Sequence, residues 1–268
     1  EECSPSDCLC EKRKSMSKLY TLALIFILIS CDSRRIVSND DTIFVDYDKE
    51  QIFDWNNTIL IKSVVSLETA DDCVLSYARK CLVSGKYIVY HDEKQKAIFV
   101  FDEEGTFLYV IDAVGGGPDE YTEIKDMAIS CDKEFILVLD NNSVVSFDLK
   151  NGRFQDRISL PQDIASNFYR FANVDKQTFY FWSTEKENSL YLYENGEMKV
   201  IEKRTGFPFV CQKFYYDSEN SLNYISDYGL FEIHGLEQER VRKKYSFDFG
   251  YLNFSKSQMP KNVTEFEQ

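Results

Sequence analysis

Four segments of the chain repeat one strand-turn-strand unit, and that recurrence constrains the fold more than any single residue does. An apolar run opens each copy, at residues 87–90, 135–138, 179–182 and 222–225. Five residues past each opening position stand Asp92, Asp140, Thr184 and Asp227. A second run follows at residues 98–101, 144–147, 190–193 and 230–233. Then come a polar residue and a glycine: Asp102 with Gly105, Asp148 with Gly152, Glu194 with Gly196, His234 with Gly235. Two of these turns are Asn-Gly, which supplies the positive φ angles of a tight hairpin. A third strand alternates apolar and polar residues, with Phe107, Tyr109 and Ile111 in the first copy and Phe154 and Ile158 in the second. An earlier strand is legible before the core, as at residues 124–129.

About four strands per unit, at starts 43 to 48 residues apart, match the blade of a β-propeller. One such sheet cannot bury both faces alone, so copies must stack face to face around an axis. A β-sandwich is the rival, but it lacks a four-strand unit with the same turn in the same place. The expected fold is therefore all-β, a β-propeller of four-stranded blades. Residues 58–62 and 64–67 read as further strands, and an N-terminal strand can complete the last blade.

Upstream lies an export segment. Residues 19–29 form an apolar run broken by Tyr20 and Thr21, with Lys18 and Lys12-Arg13-Lys14 before it. The run is too short to span a bilayer as a helix and fits the core of a signal peptide. It ends in Leu28-Ile29-Ser30-Cys31, which resembles the lipobox of bacterial lipoproteins, in which the cysteine carries the lipid. The expected layout is an upstream extension at 1–15, a lipoprotein signal peptide at 16–31, a linker at 32–57 and the propeller at 58–268. The expected partner at Cys31 is the membrane, and the expected place is the cell envelope, on its periplasmic or outer side.

The net charge is −14, and the bases and acids of residues 1–30 cancel, so the deficit sits on the exported part. An acidic surface repels phosphate backbones, which argues against nucleic acid as a partner. Cys73, Cys81, Cys131 and Cys211 follow the lipobox; exported thiols can oxidise, and sequence does not choose between disulfides and buried free thiols.

One loop, Val114-Gly115-Gly116-Gly117-Pro118-Asp119-Glu120-Tyr121, follows Phe101-Asp102-Glu103-Glu104-Gly105-Thr106-Phe107. Together they resemble the signature of the six-bladed, NHL/TolB-like β-propeller lipoproteins of Bacteroidetes, where a Phe-Asp strand end and a Gly turn lead into a Gly-Pro-x-Glu-Tyr loop. Val64-Val65-Ser66-Leu67-Glu68-Thr69 is similar to a Leu-Glu-Thr stretch near the start of that family. Asp119 departs from the pattern, and the later repeats diverge. The resemblance implies six blades, and a closed ring of six needs about 240–270 residues. Fewer follow Cys31, so the C-terminus is expected to be truncated. The family brings no general activity. NHL-type relatives are largely binding modules, while six-bladed lactonases hold a channel calcium with acids and Asn.

For the glycine loop the plain expectation is a blade-to-blade connector braced by Glu120 and Tyr121; no Lys-Ser/Thr follows to make a phosphate cradle. Asp92, Asp140 and Asp227 close the second strand of their blades, on the face that also carries Asp119 and Glu120. They either cap turns through backbone N–H groups or present carboxylates to a ligand or Ca²⁺. His91 and His234, the only two histidines, are expected at surface or turn positions and exclude a three-His zinc site. Trp182 reads as core; Trp55 could stack on a sugar. No residue is assigned a catalytic role. The functional expectation is a binding or scaffold module for an envelope protein or glycan, needing no cofactor. The alternative is a calcium-dependent propeller enzyme, a lactonase-like hydrolase or a polysaccharide lyase.

Overall fold

Strand sequences that are apolar at consecutive positions need two apolar neighbours, and the packing supplies them. The computed structural model describes residues 41–46 and 59–253, all within one unit, Asp41–Gln268. A short strand β1 (Thr42–Phe44) precedes four antiparallel blades. Blade 1 is β2 (Ala78–Ser84), β3 (Tyr87–Asp92), β4 (Ala97–Asp102) and β5 (Phe107–Ile111). Blade 2 is β6 (Asp126–Ile129), β7 (Phe135–Leu139), β8 (Ser143–Asp148) and β9 (Phe154–Ser159). A single helical turn, α1 (Gln162–Ala165), leads to blade 3: β10 (Phe168–Asp175), β11 (Thr178–Ser183), β12 (Asn188–Glu194) and β13 (Glu197–Lys203). Blade 4 is β14 (Phe214–Tyr216), β15 (Leu222–Ile225), β16 (Glu232–Glu237) and β17 (Arg240–Asp248). Each blade runs in sequence order from its innermost strand outward, and the innermost strands β2, β6, β10 and β14 contact one another in turn. The propeller expectation is met in its four-stranded blades. Four blades are formed among the described residues, and six are not reached there.

Side chains in a strand alternate between faces, and blade 2 shows the consequence. Ile136 and Val138 join Val89, Ile98 and Val100 of blade 1. Leu137 and Leu139 face the other way, onto Phe168, Phe171, Phe179 and Phe181 of blade 3. In blade 3, Tyr180 and Trp182 then turn to Phe214, Leu222 and Tyr224 of blade 4. Each such side chain contributes about 1.5–3 kcal/mol on burial. Trp182 is fully buried, as expected of a core residue.

Three expectations about strands and turns need correction. Residues 59–67 are not strands. Leu67 at the end of this segment, with Cys73 and Leu75 farther along the chain, packs instead on Ala97, Phe99 and Phe101 at the outer face of blade 1, while Leu60, Ile61 and Val64 are exposed. Those β4 residues would otherwise leave one apolar face in water. Gly105 permits the close approach: a Cβ there would lie 2.2 Å from the Ser66 carbonyl oxygen. Glu68 fixes the register, its N–H donating to Gly105 O at 2.8 Å and its carboxylate accepting from Phe107 N at 2.8 Å. The N-terminal strand that joins a blade is β1, parallel to β17 of blade 4 with Thr42 opposite Ser246; it lies in the stretch expected to be linker. In the fourth copy the second strand begins at Glu232, after Phe231 at φ 51°, and Gly235 sits inside β16 opposite Asn223. The turn falls at Gln238, φ 53°, so the His234-Gly235 pair misplaced it. Glycine served there as a spacer for the Lys244 side chain, which a Cβ would meet at 2.9 Å.

Both histidines are buried within strands, against the surface expectation. Burial, with Arg79 nearby, lowers His91 to about 4. His234 moves up, because Glu202 and Glu232 together outweigh the burial that alone would lower it. The signs oppose. His91 stays neutral in the fold while the unfolded residue protonates near 6.5, so its contribution is complete above about 6.5 and is lost as pH falls toward 4. His234 contributes below about 6.5, and that contribution is lost as pH rises through its raised folded value. Urea midpoints measured from neutral pH down to about 4 are expected to fall, with about 3 kcal/mol attributable to His91. His91→Gln should flatten that limb; an unchanged acid limb would show that His91 does not titrate as described.

Candidate functional site

A blade of this topology sends its first and third turns to one end of the axis and its second turn and exit loop to the other. The five residues expected to form a ligand face all lie at the second-turn end, but three of them are consumed by the fold. Asp92, fully buried, accepts from Ser76 N, from Tyr77 N at 2.9 Å and from Gln95 N at 3.0 Å. These backbone donors hold its carboxyl below the usual range against the burial that would raise it. Asp140, 2% exposed, accepts from Thr122 Oγ1 at 2.6 Å and from the N–H groups of Thr122 and Glu123 at 3.2 Å. In both blades the aspartate closing the second strand thus anchors the chain entering the first. Thr184 takes that place in blade 3, its N–H donating to Asn167 O at 2.8 Å.

Asp227 differs. Its carboxylate meets Arg204 Nη1 at 2.5 Å, Trp182 Nε1 at 2.9 Å and Lys213 Nζ at 3.5 Å. Lys213 is 0% exposed, donates to Ser226 O at 3.1 Å and stands 4.7 Å from the Trp182 ring centre. Burial lowers its pKa, and Asp227 works against that shift. One buried carboxylate therefore serves two buried cations at the joint between blades 3 and 4. Sequence singled out Asp227 but neither cation.

The glycine loop is the expected connector between blades 1 and 2. Gly117 N donates to Glu120 Oε2 at 2.7 Å, and a Cβ on Gly115 would lie 1.9 Å from that same oxygen. Tyr121, fully buried, donates to Lys96 O at 2.8 Å. Arg157 Nε donates to Pro118 O at 3.0 Å and its Nη2 to Glu120 O. Asp119 is exposed and Glu120 half-buried. Among the described residues no three His, Cys, Asp or Glu side chains converge as a metal set. Cys73, Cys81, Cys131 and Cys211 are free thiols. Cys31 and Trp55 lie outside the described residues.

A cavity opens at the opposite end. A recess of about 510 Å³ is lined from all four blades: Ser84 of blade 1, Ser130 and Lys133 of blade 2, Tyr180 of blade 3, and Tyr216 and Asn220 of blade 4. Its size falls in the range of ligand sites. Its walls are residues at or beside the first turns and, in blade 4, the third turn; Ser130, Asp175 and Asp217 close the first turns of blades 2, 3 and 4. Ser130 Oγ accepts from Phe135 N at 2.9 Å and donates to Asp132 Oδ1 at 2.6 Å. Asp175 accepts from Gln177 N at 2.9 Å, and Asp217 from Ser221 N at 2.9 Å. That bond first, then Asn223 and Lys244, pushes Asp217 below the ordinary carboxylate range. Lys133, Asn220 and Gln238 adopt φ of 61°, 62° and 53° on the rim. Tyr180, raised to about 12 by burial, donates to Gln238 O at 2.6 Å and ties the rim of blade 4 to blade 3. Tyr216, 48% exposed, leaves its ring to the recess while its hydroxyl donates to Asn173 O at 2.5 Å. Sequence reading missed this end because it followed the glycine loop. The recurring signal was present in Asp132-Lys133, Asp175-Lys176 and Asp217, each just before a second strand.

The chain is similar in fold to a Bacteroides fragilis protein described as exported, with a TM-score of 0.61 and 16% identity over 78% of this chain and 60% of that one. This chain thus spans about 60% of that relative's length. It is also similar to a member of the DUF4221 family from Bacteroides vulgatus, with a TM-score of 0.47 and 14% identity over 68% of this chain and 62% of that one. A third likeness is to the extracellular domain of a one-component system from B. thetaiotaomicron, with a TM-score of 0.44 and 16% identity over 66% of this chain and 23% of that one. No curated protein matches. With its repeats, connector loop and recess in a single unit, the chain matches a domain of unknown function (DUF4934) over residues 41–268, and it belongs to that family.

Proposed function

We propose that this protein is a glycan-binding module of the cell envelope, held to the membrane by lipid at Cys31, and that its ligand enters the recess at the first-turn end. The observation carrying the reading is convergence: four blades contribute hydroxyl, amide, ammonium and tyrosyl groups to one cavity. On the other face Asp92, Asp140 and Asp227 already accept internal hydrogen bonds, which commits them to the fold. The complete ring is read as six-bladed, on the resemblance carried by the segment from Phe101 to Tyr121. The envelope location rests on the lipobox-like Leu28-Ile29-Ser30-Cys31 and agrees with the description of the B. fragilis relative as exported.

Two substitutions on opposite faces test the site. Calorimetric titration of the full chain with a panel of neutral oligosaccharides should give binding that Tyr216→Ala weakens roughly tenfold or more. Asp119→Asn, on the other face, should leave it unchanged. Binding lost in Asp119→Asn and kept in Tyr216→Ala would move the site to the glycine-loop face and refute the assignment.

A further inference from the structure

The recess does not end at its own wall. A second one, of about 380 Å³, lies between blades 2 and 3, and Ser130 and Cys131 belong to the lining of both. Its floor is apolar, with Leu137, Val144 and Phe179, and its rim is polar, with Gln155, Asp156 and Lys176. The two recesses thus flank one ridge, the first turn of blade 2. Asn173, 4% exposed, fixes that ridge. Its Oδ1 accepts from Cys131 N at 2.9 Å, while its backbone oxygen accepts from Tyr216 OH at 2.5 Å. One buried residue of blade 3 therefore sets the position of the ridge and of the aromatic ring across from it.

The charges add a second constraint. Lys133, Lys244 and Lys176 line the two recesses together with Glu237, Asp132 and Asp156. Three bases match three acids, in a protein whose net charge is −14. A groove balanced in charge, with apolar floors and hydrogen-bonding rims, selects an uncharged ligand that has flat C–H faces and hydroxyl edges.

We infer that the two recesses are adjoining subsites of one groove, and that it takes an extended neutral oligosaccharide laid across the Ser130–Cys131 ridge. The inference rests on the glycan reading above and adds the ligand's length and charge. A ligand bridging two subsites gains the second set of contacts without a second loss of translational freedom.

The test uses the full chain and neutral ladders from mono- to hexasaccharide in the gluco, manno, galacto and N-acetylglucosamine series. Affinity is read by calorimetry. Alkylation of Cys131 by iodoacetamide is read by peptide mass mapping, with Cys81 as the internal control: it is exposed and outside both linings. Affinity should climb roughly tenfold or more between the mono- and tetrasaccharide of the recognised series. The bound oligosaccharide should slow labelling of Cys131 but not of Cys81. Gln155→Ala should erase the gain with length and leave monosaccharide binding intact. A monosaccharide that binds as well as its oligomers, with Gln155→Ala silent, overturns the inference and leaves the single-recess reading standing. Absence of binding across all ladders overturns both.

Discussion

Replacing Asp227 with alanine is expected to cost about 3–5 kcal/mol, the range seen when one partner of a buried ion pair is removed. The reason is the charge left behind. Arg204 and Lys213 are almost wholly buried and share this one carboxylate, so the variant would enclose two uncompensated cations and an unpaired Trp182 Nε1 donor. For a domain whose total stability is about 5–15 kcal/mol, that loss separates folded from marginal protein. The account has an internal check. Adding Lys213→Met to Asp227→Ala removes one stranded charge and fills its space with a side chain of similar length. The double variant should be more stable than Asp227→Ala alone, measured by urea midpoint. If the second substitution costs further stability, the cluster is not limited by its excess positive charge.

Phe181→Ala should cost a similar amount, about 3–5 kcal/mol, through the cavity it leaves. Phe181 is 0% exposed and stacks on Phe168 at 4.8 Å, with Phe171 at 6.2 Å and Phe179 at 6.1 Å between ring centres. That stack is the joint between blades 2 and 3, where Leu137 and Leu139 also pack. A fall in melting temperature of roughly 10 °C is expected for a domain of this size. Phe154, on the outermost strand of blade 2 and 37% exposed, is the comparison, since its truncation removes less buried surface. Equal losses at the two sites would contradict the face-to-face stacking of blades.

The blades themselves were legible because their strands are apolar on both faces and their turns carry fixed chemistry. Asp102 and Asp148 occupy equivalent places and both accept turn N–H groups, from Thr106 at 2.7 Å and Lys150 at 2.8 Å. Asn195-Gly196 makes the expected tight turn, with φ of 51° and 91°. Asn151-Gly152 lies in a longer one, where Gly152 alone has positive φ. What misled the reading was local likeness without context. Residues 59–67 have the composition of a strand, but they pair with no strand edge among the described residues, and Leu67 packs on the side-chain face of blade 1. Gly235 resembled a turn because glycine has two uses, and the crowding by Lys244 across the sheet shows only in three dimensions. His234 looked like a surface residue because the carboxylates that receive it come from different strands, Glu202 on β13 and Glu232 on β16. The candidate site was the least legible part. A recess lined by scattered residues of four blades leaves no contiguous motif, while the glycine loop, conspicuous in sequence, is spent on joining blades.

The two faces therefore carry different work: aspartates, connector and buried charges hold blades together at one end, and the open groove lies at the other. The most direct test of that division is the melting temperature of the full chain with calcium, with EDTA, and with the neutral oligosaccharide panel. A ligand that binds only the folded state stabilises it by mass action, about 2.7 kcal/mol at roughly a hundred times its Kd. The account predicts a rise with a recognised oligosaccharide that neither calcium nor EDTA alters. A rise with calcium that EDTA reverses, with no oligosaccharide moving the transition, would contradict it and make the aspartate face a metal site.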